Sequence, residues 1–585
     1  MKASAKNLLS IIKEPKQFII PIYQRTYSWQ FKQCALLLKD IQAASKSEQG
    51  HFIGSIVYFQ PDINTIAEIN KYLVIDGQQR LTTITLLIAA LVKFIEKNPD
   101  CDVDTTAKKL KNYYLFNAEE DNDLYYKLLL TRRDKETLTN LLTNKPLPTK
   151  HSQRIIENHD YFYKQIDKKN INKIYKGLQK LIVVDVALER DKDNPQLIFE
   201  SLNSTGLNLS QADLIRNYIL MGQEASFQKH LYETYWYPME QSFGDNISAL
   251  PWFMRDYLTM KLNSIPKIGE VYDTFKEYFN NHKDKLGTEN IVQSLYEYSQ
   301  YYVAIALQKE EDKTLKSVFK EISKLRMDTS YPFLLAVYGD FKNEIITFDE
   351  FVELVNLIKN YVFRRAICGI PTNSLNKTFA TLYKSIINET YAQSLKATFI
   401  LMDGYRRFPD DAEFTRDLQL KDVYNFRSRN YLLESLENFK RKELVNAENY
   451  TIEHIIPQNP KTSTEWQQEL GENWKVLKEK YLHTLGNLSL TAYNSELSDR
   501  PFTNKKAIVG GFNESPLFLN KSVRVADIWN EEAINNRAGE LAQRALKVWP
   551  SPYLDDDVID IYRAPETTRD SIQYSIEQYE HLQND

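Results

Sequence analysis

The stretch TIEHIIPQNP (451–460) sets Glu453 beside His454, one of eight histidines in the chain. A histidine titrating near pH 6.5 can take a proton from water, and a neighbouring carboxylate can hold a hard cation. The pair therefore reads as a general base next to a metal ligand. A strand edge with one exposed polar pair would give the same residues. Downstream, HTLGNLSLTAYNSELSDRPFTNKK (483–506) places Asn487 after Gly486 in a turn, then an apolar alternation, then Asn494 where a helix could begin. Asn494 would serve equally as a helix N-cap. His483 reads as a turn histidine or as a further ligand.

A second set lies in YLVIDGQQRLTTITLL (72–87). An apolar strand ends at Ile75, Asp76-Gly77 marks a turn, and a helix opens near Gln78 or Gln79. The first N–H groups of such a helix, at the positive end of its dipole, form an anion site. Asp76, Gly77, Gln78, Gln79 and Arg80 crowd that spot. An arginine and two amides suit a phosphate, and an aspartate suits Mg²⁺ or a ribose hydroxyl. The plainer alternative is a turn whose aspartate caps the helix. IPIYQRTYSWQ (20–30) packs Gln24 and Arg25 among Tyr23, Tyr27 and Trp29. That setting suits base stacking with phosphate contact, or a hydrophobic staple leading into a helix over 30–43. FESLNSTGLNLSQADLIRNYIL (199–220) supplies Asn203, a Gly206 turn and Ser210, which caps a helix with Asp213 three positions on. Arg216 and Asn217 follow, and a capped helical hairpin accounts for the same residues.

The elements that must position these groups are partly legible. Residues 52–60, 71–76 and 181–189 are β-branched and aromatic and predict strands, with helical stretches between them at 82–97 and within 105–180. From about 225 to 440 the pattern is helical. FVELVNLIKNYVFRRAI (351–367) spaces its apolar residues at three and four. Residues 441–550 turn to short strand-like runs and Asn/Gly turns, ending in a helix at ALKVWP (545–550). The stretch from Ser551 reads as an extra helix or a loose terminus. Length suggests roughly three or four domains. The divisions expected are 1–224, 225–424, 425–550 and a tail at 551–585.

Composition narrows the class. With 43% hydrophobic and 26% charged residues the chain is globular. A net charge of −4 argues against a protein that coats DNA, so nucleic acid would have to bind through a local basic groove. Cys34, Cys101 and Cys368 form no CxxC, which points to a reducing compartment, the cytoplasm, without a disulfide framework. The apolar run near the N-terminus is cut by Lys13 and Glu14, so no signal peptide is expected. LTTITLLIAALVKFI is broken by threonines and Lys93 and reads as a buried helix rather than a membrane span. No P-loop is present, so any nucleotide must use another cradle.

YQRTYSW, DGQQRLTT and FESLNSTGLNLSQADLIRN together resemble the N-terminal domain of GmrSD-type modification-dependent (type IV) restriction systems, over about residues 10–220. That domain is related to the ParB/sulfiredoxin fold. The resemblance implies binding and hydrolysis of a nucleoside triphosphate, GTP or ATP, coupled to sensing of modified DNA. It places the nucleotide site on Asp76, Gly77, Gln78, Gln79 and Arg80, with Gln24 and Arg25 in support.

The later order, strand with Glu-His, loop, strand with Asn, helix with Asn, resembles the ββα-metal arrangement of HNH nucleases. It looks like the C-terminal HNH domain of the same family over roughly 425–550, flanked by NFRSRNYLLESLE (425–437) and ALKVWP. DNA phosphodiester cleavage needs a hydroxide at neutral pH and a cation on the phosphate. On this reading His454 is the base. Glu453 and Asn494 hold Mg²⁺ or another divalent cation, and Asn487 orients His454 by a hydrogen bond. The third HNH position is Asn494 rather than histidine. Lys505 and Lys506 would touch phosphate or form a solvated helix face. YVFRRAICGIPTNSLNKTF (361–379) resembles the family's helical middle region. There Arg364 and Arg365 would contact DNA, relay between the ends, or form a buried ion pair.

The expectation is a predominantly helical α+β chain: a ParB/sulfiredoxin-like α/β domain, a helical middle and an HNH domain. It would cleave double-stranded, modified phage DNA in anti-phage defence, in the cytoplasm, without a membrane; a homodimer is compatible with it. Two rivals are an RNase or tRNA nuclease using the same centre, and a nucleotide-dependent DNA-binding regulator whose nuclease site is idle.

Overall fold

The computed structural model describes residues 2–60, 69–189, 193–203, 209–459 and 461–563. Gly206, the side chain of Asn203, Pro460 and residues 564–585 of the tail lie outside the described residues. Contacts divide the chain into two units, 1–240 with 269–293, and 241–268 with 294–585.

The first unit is built on a mixed sheet of six strands: β1 (Lys2–Asn7), β2 (Lys16–Ile19), β3 (His51–Phe59), β4 (Asn70–Asp76), β5 (Leu128–Leu129) and β6 (Leu181–Leu188). Their order is β1-β6-β3-β4-β2-β5. β1 runs antiparallel to β6, and β3 antiparallel to β4. The β3–β6, β2–β4 and β2–β5 pairs are parallel. The three strands expected from β-branched runs are β3, β4 and β6. β1 carries no apolar alternation because it is an edge strand exposed along almost its whole length.

The helix Gln78–Lys97 leaves β4 and crosses the core of this unit. Long and apolar enough to span a bilayer, it is instead buried among the unit's own side chains. Its threonines are accommodated by bonding back along the helix. Thr82 and Thr83 donate to the carbonyls of Gln78 and Gln79 at 2.8 and 2.7 Å, and Thr85 to Leu81 at 2.9 Å.

The second unit is mainly helical around a two-stranded antiparallel sheet, β7 (Thr451–His454) and β8 (Leu488–Thr491), in which Glu453 faces Ser489 and His454 faces Leu488. The helix Phe348–Ile367 opens with a Thr347/Glu350 capping box, and its Phe363 stacks on Trp549 at 4.1 Å. Arg364 and Arg365 are fully buried on this helix. Arg364 pairs with Asp411 at 2.7 Å and donates to the carbonyls of Trp549 and Pro409. Arg365 donates to Pro371 O and Ser374 Oγ. Both guanidiniums are held inside the fold rather than offered to DNA: Arg364 forms the ion-pair alternative, with Asp411, and Arg365 is satisfied by carbonyls and a hydroxyl.

Candidate functional site

Alternation along β7 decides what the Glu-His pair can do. Successive residues of a strand point to opposite faces. On one face, the helix Phe502–Ala507 brings Lys505 against Glu453, both almost wholly buried, with the ammonium 2.5 Å from Glu453 Oε1. Lys505 also donates to His454 O at 2.9 Å, tying the helix to the strand. Burial pushes the Glu453 carboxyl up to about 6 against the pull of Lys505, and lowers the lysine. Lys505 thus neither touches phosphate nor forms a solvated face, and Lys506 donates to Ala526 O at 2.5 Å.

On the other face, His454 Nε2 lies 3.1 Å from His483 Nδ1. Tyr424 stacks on the His483 ring at 5.2 Å and meets the His454 ring nearly edge-on at 4.5 Å. Val423 N and Tyr424 N donate to His483 O at 2.8 and 3.3 Å, fixing the loop that carries it. Burial, then the charges of His483 and Lys505, lower His454 to about 3, with Asp422 opposing. The slight burial of the exposed Asp422 would raise it, but the hydrogen bonds it accepts from Asn425, and then the charges of the two histidines, hold it below the usual carboxylate range. Asp422 and Tyr424 lie outside the expected 425–550 boundary. His483 is the residue the sequence left ambiguous.

Asn487 does hold the loop, through backbone rather than through the imidazole. Its Oδ1 accepts from Ile456 N at 2.8 Å, and its Nδ2 donates to Leu482 O at 3.0 Å. Trp529 Nε1 donates to the same Oδ1 at 3.3 Å, and Ile455 N donates to Asn487 O at 2.9 Å. Beneath it, the buried Arg537 donates to the carbonyls of Leu485, Gly486 and Leu488 at 2.8 to 2.9 Å. Burial lowers that guanidinium to about 9. The signal for Arg537 is its place on the apolar stripe of the helix Glu531–Val548, between Ile534 and Leu541.

Asn494 is exposed and is the first residue of a single helical turn, Asn494–Leu497, preceded by Tyr493 at the N-cap position. It is not the cap. Glu453 does not join His454 as a ligand, because its carboxylate is held by Lys505 on the opposite face of β7. With that carboxylate engaged, Glu453 does not fit Mg²⁺ as placed. Among the described residues, Cys368, Glu413 and Asp417 form a trio of ligand atoms within 4.8 Å of one another. Their carboxylates already pair with Arg407 and Arg416.

A polar cleft of about 430 Å³ is lined by Arg427 and Arg429 together with Lys324 and the carboxylates of Glu434 and Glu448, of which Glu434 pairs with Lys324. Arg429 lies over the Tyr424 ring at 5.0 Å, which joins this cleft to the histidine pair. Arg427 is exposed and carries no ion pair among the described residues.

In the first unit the three singled-out segments come together. Gly77, at φ 94°, is the helix N-cap and supplies no side-chain bond, so Asp76 does not cap the helix. Gln78 and Gln79 are buried and hold the 20–30 loop. Gln78 Nε2 donates to Gln24 Oε1 at 3.0 Å, and Gln24 Nε2 to Ile75 O at 2.9 Å. Gln79 Oε1 accepts from Ser28 N and Trp29 N at 2.9 and 3.2 Å. Arg80 donates to Ser55 O at 2.7 Å and lies 3.8 Å from Asp76, each about 30% exposed. Gly54, at φ 107°, leaves room for that guanidinium, since a Cβ there would sit 2.8 Å from Arg80 Cζ. The half-buried Arg25 has a buried Nε without a partner, and burial lowers its guanidinium while Asp213 and Asp76 support its charge. Arg216 is buried, donating to Tyr23 O at 2.7 Å and pairing with Asp213 and Glu240 at 2.7 and 2.6 Å. Ser210 and Asp213 form the expected capping box.

Residues 8–220 match the family model for the GmrSD restriction endonuclease N-terminal domain, and residues 408–544 match that for the GmrSD restriction endonucleases' C-terminal domain. The two matches together cover more than half of the chain. No curated protein matches the chain at a significant level.

Two stability outcomes follow from this geometry. Lys505→Met should cost about 3–5 kcal/mol, the range for removing one partner of a buried pair. Glu453→Gln/Lys505→Met should recover most of that loss in urea unfolding; strictly additive losses would show that the two are not a pair. Gln79→Ala should cost about 1–3 kcal/mol by leaving the 26–29 backbone unsatisfied, read as faster proteolysis within the 20–30 loop.

Proposed function

Because the chain belongs to the GmrSD restriction endonucleases, we propose that it is a modification-dependent (type IV) DNA endonuclease whose cutting centre is His454 with His483. The observation that carries this reading is the 3.1 Å contact between His454 Nε2 and His483 Nδ1, beside the arginine-lined cleft. In the tautomer where His454 Nε2–H donates to His483, the lone pair of His454 Nδ1 is free to take a proton from water. The water oxygen then attacks phosphorus, and the bond to the leaving ester oxygen breaks, that oxygen taking a proton from solvent. Burial and the neighbouring His483 and Lys505 disfavour the imidazolium, so the proton passes on quickly, and the carboxylate of Asp422 is the charge that supports it meanwhile. Arg427 offers a charge-assisted contact to the substrate's phosphates. This arrangement supports an HNH-like reading of the β7–β8 ribbon, with Asn487 and Arg537 as positioning residues.

The same reading puts a nucleoside triphosphate at the first unit's mixed, ParB/sulfiredoxin-like sheet. Asp76 and Arg80 are the part-exposed charges at the start of the helix Gln78–Lys97, and Arg25 has donor capacity to spare. Gln24, Gln78 and Gln79 shape that corner from beneath. Double-stranded DNA bearing a modification, as in phage, is the substrate this family membership favours.

Cleavage of modified and plain DNA and of RNA, scored beside released phosphate, tests the proposal. His454→Ala should lower DNA cutting by roughly 10²–10⁴-fold, the usual worth of a positioned base, while nucleotide turnover survives. Near wild-type cutting by a folded His454→Ala protein would sink the assignment, and cutting of RNA alone would favour the RNase rival. Arg80→Ala should reduce nucleotide turnover in a folded chain. Arg427→Glu should raise the DNA KM and flatten the dependence of binding on salt by about one phosphate contact.

The pH profile has a defined sign. His454 is held near 3, so it is already neutral throughout pH 6–8 and its protonation should impose no acid limb there. Folding stability should instead fall as pH drops from about 6.5 toward 3, where the unfolded chain binds a proton that the native histidine refuses. A tenfold loss of cutting per unit below pH 6.5 would show that His454 is not held neutral.

A further inference from the structure

The helical part of the second unit contains a cleft of about 190 Å³ that the chemistry above does not use. Its wall includes Trp252, Arg255 and Asp256 of the helix Leu250–Leu262, Tyr302 of the helix Thr288–Ala306, and Asp328 and Tyr331. Sites for drug-sized ligands run to roughly 300–1,000 Å³, so this one suits a small group.

Asp256 is 9% exposed. Its carboxylate has no hydrogen bond or ion pair among the described residues, and feels only the charges of Arg255 and Asp328. A buried carboxylate is ordinarily paired. Left alone, burial pushes this one up to about 8. Arg255 does not supply the missing partner. Its Nε donates to Pro266 O at 3.1 Å, and its guanidinium lies 5.7 Å from the centre of the Trp252 ring. Tyr302 and Tyr331 meet edge to face at 5.7 Å, and both feel the two aspartates. Two carboxylates against one guanidinium disfavour phosphate, and three aromatic rings favour an organic cation.

We propose that this cleft binds the ammonium group of a small organic amine, with Asp256 as its counter-ion and Trp252, Tyr302 and Tyr331 as its aromatic walls. The amine is either free, as in a polyamine, or carried on a DNA base; its chemistry at the cleft is the same. Binding ionises Asp256 and releases its proton to solvent. Arg255, Asp328, Tyr302 and Tyr331 are the ionisable groups facing it. Affinity should therefore fall about tenfold between pH 7 and pH 6.

The full-length protein, titrated calorimetrically with n-butylammonium and with n-butanol, tests the site. A duplex carrying an aminopropyl-uracil, beside its unmodified twin, tests the second source of the amine. Saturable binding of butylammonium but not butanol is expected, weakened at least tenfold in Asp256→Asn and following the stated pH trend. Binding of the aminopropyl duplex alone, lost in Asp256→Asn, would also support the site and assign the amine to DNA. Equal binding of butanol, undiminished binding by Asp256→Asn, or no binding of either amine overturns it. Should Asp256→Asn fail to fold, Trp252→Ala on the exposed wall serves as the same test.

Discussion

The second unit's site depends on one geometric constraint: neighbours on a strand face opposite ways. Glu453 and His454 are adjacent in sequence, yet β7 sends one toward Lys505 and the other toward His483. The buried Glu453–Lys505 pair fastens the helix Phe502–Ala507 to the strand, and the second bond from Lys505 to His454 O fixes the backbone of the histidine itself. Asn487 and Arg537 then anchor the turn into β8. Without this frame His454 would have no fixed relation to His483, since the imidazole makes its bond to one ring nitrogen only.

The first unit divides its labour in a similar way. Its buried amides build and its part-exposed charges stay open to solvent. Gln78 and Gln79 look in sequence like ligands for phosphate, but burial converts them into brackets for the 20–30 loop. Asp76 and Arg80 stay half-open above them. The division has a physical cause. An amide can satisfy buried carbonyls and N–H groups at no cost in charge, whereas burying an isolated carboxylate or guanidinium is expensive.

What the sequence revealed follows the strength of local signals. The strands β3, β4 and β6, the helix after Asp76-Gly77 and the Ser210 cap all carry patterns that tertiary contacts merely complete. β1, β2 and β5 carry no such pattern, because the first is an exposed polar edge and the others have only four and two residues. Glu453, His454 and Asn487 stand out in the sequence by type and order, but their packing roles do not, because these depend on which side of a strand each residue faces. Lys505 looks in sequence like a phosphate contact or a solvated cation, since nothing local distinguishes a lysine on a solvated face from one aimed at a buried carboxylate. Asp422 and Tyr424 precede the motif by about thirty positions and reach it only through folding.

The split between Glu453 and His454 is the point most open to measurement. DNA cutting by Glu453→Gln/Lys505→Met, followed across a series of Mg²⁺ concentrations beside wild type, addresses it directly. If Glu453 is a brace, the double variant should respond to Mg²⁺ as the wild type does. A midpoint shifted tenfold or more in a folded double variant would contradict the account and return Glu453 to the metal.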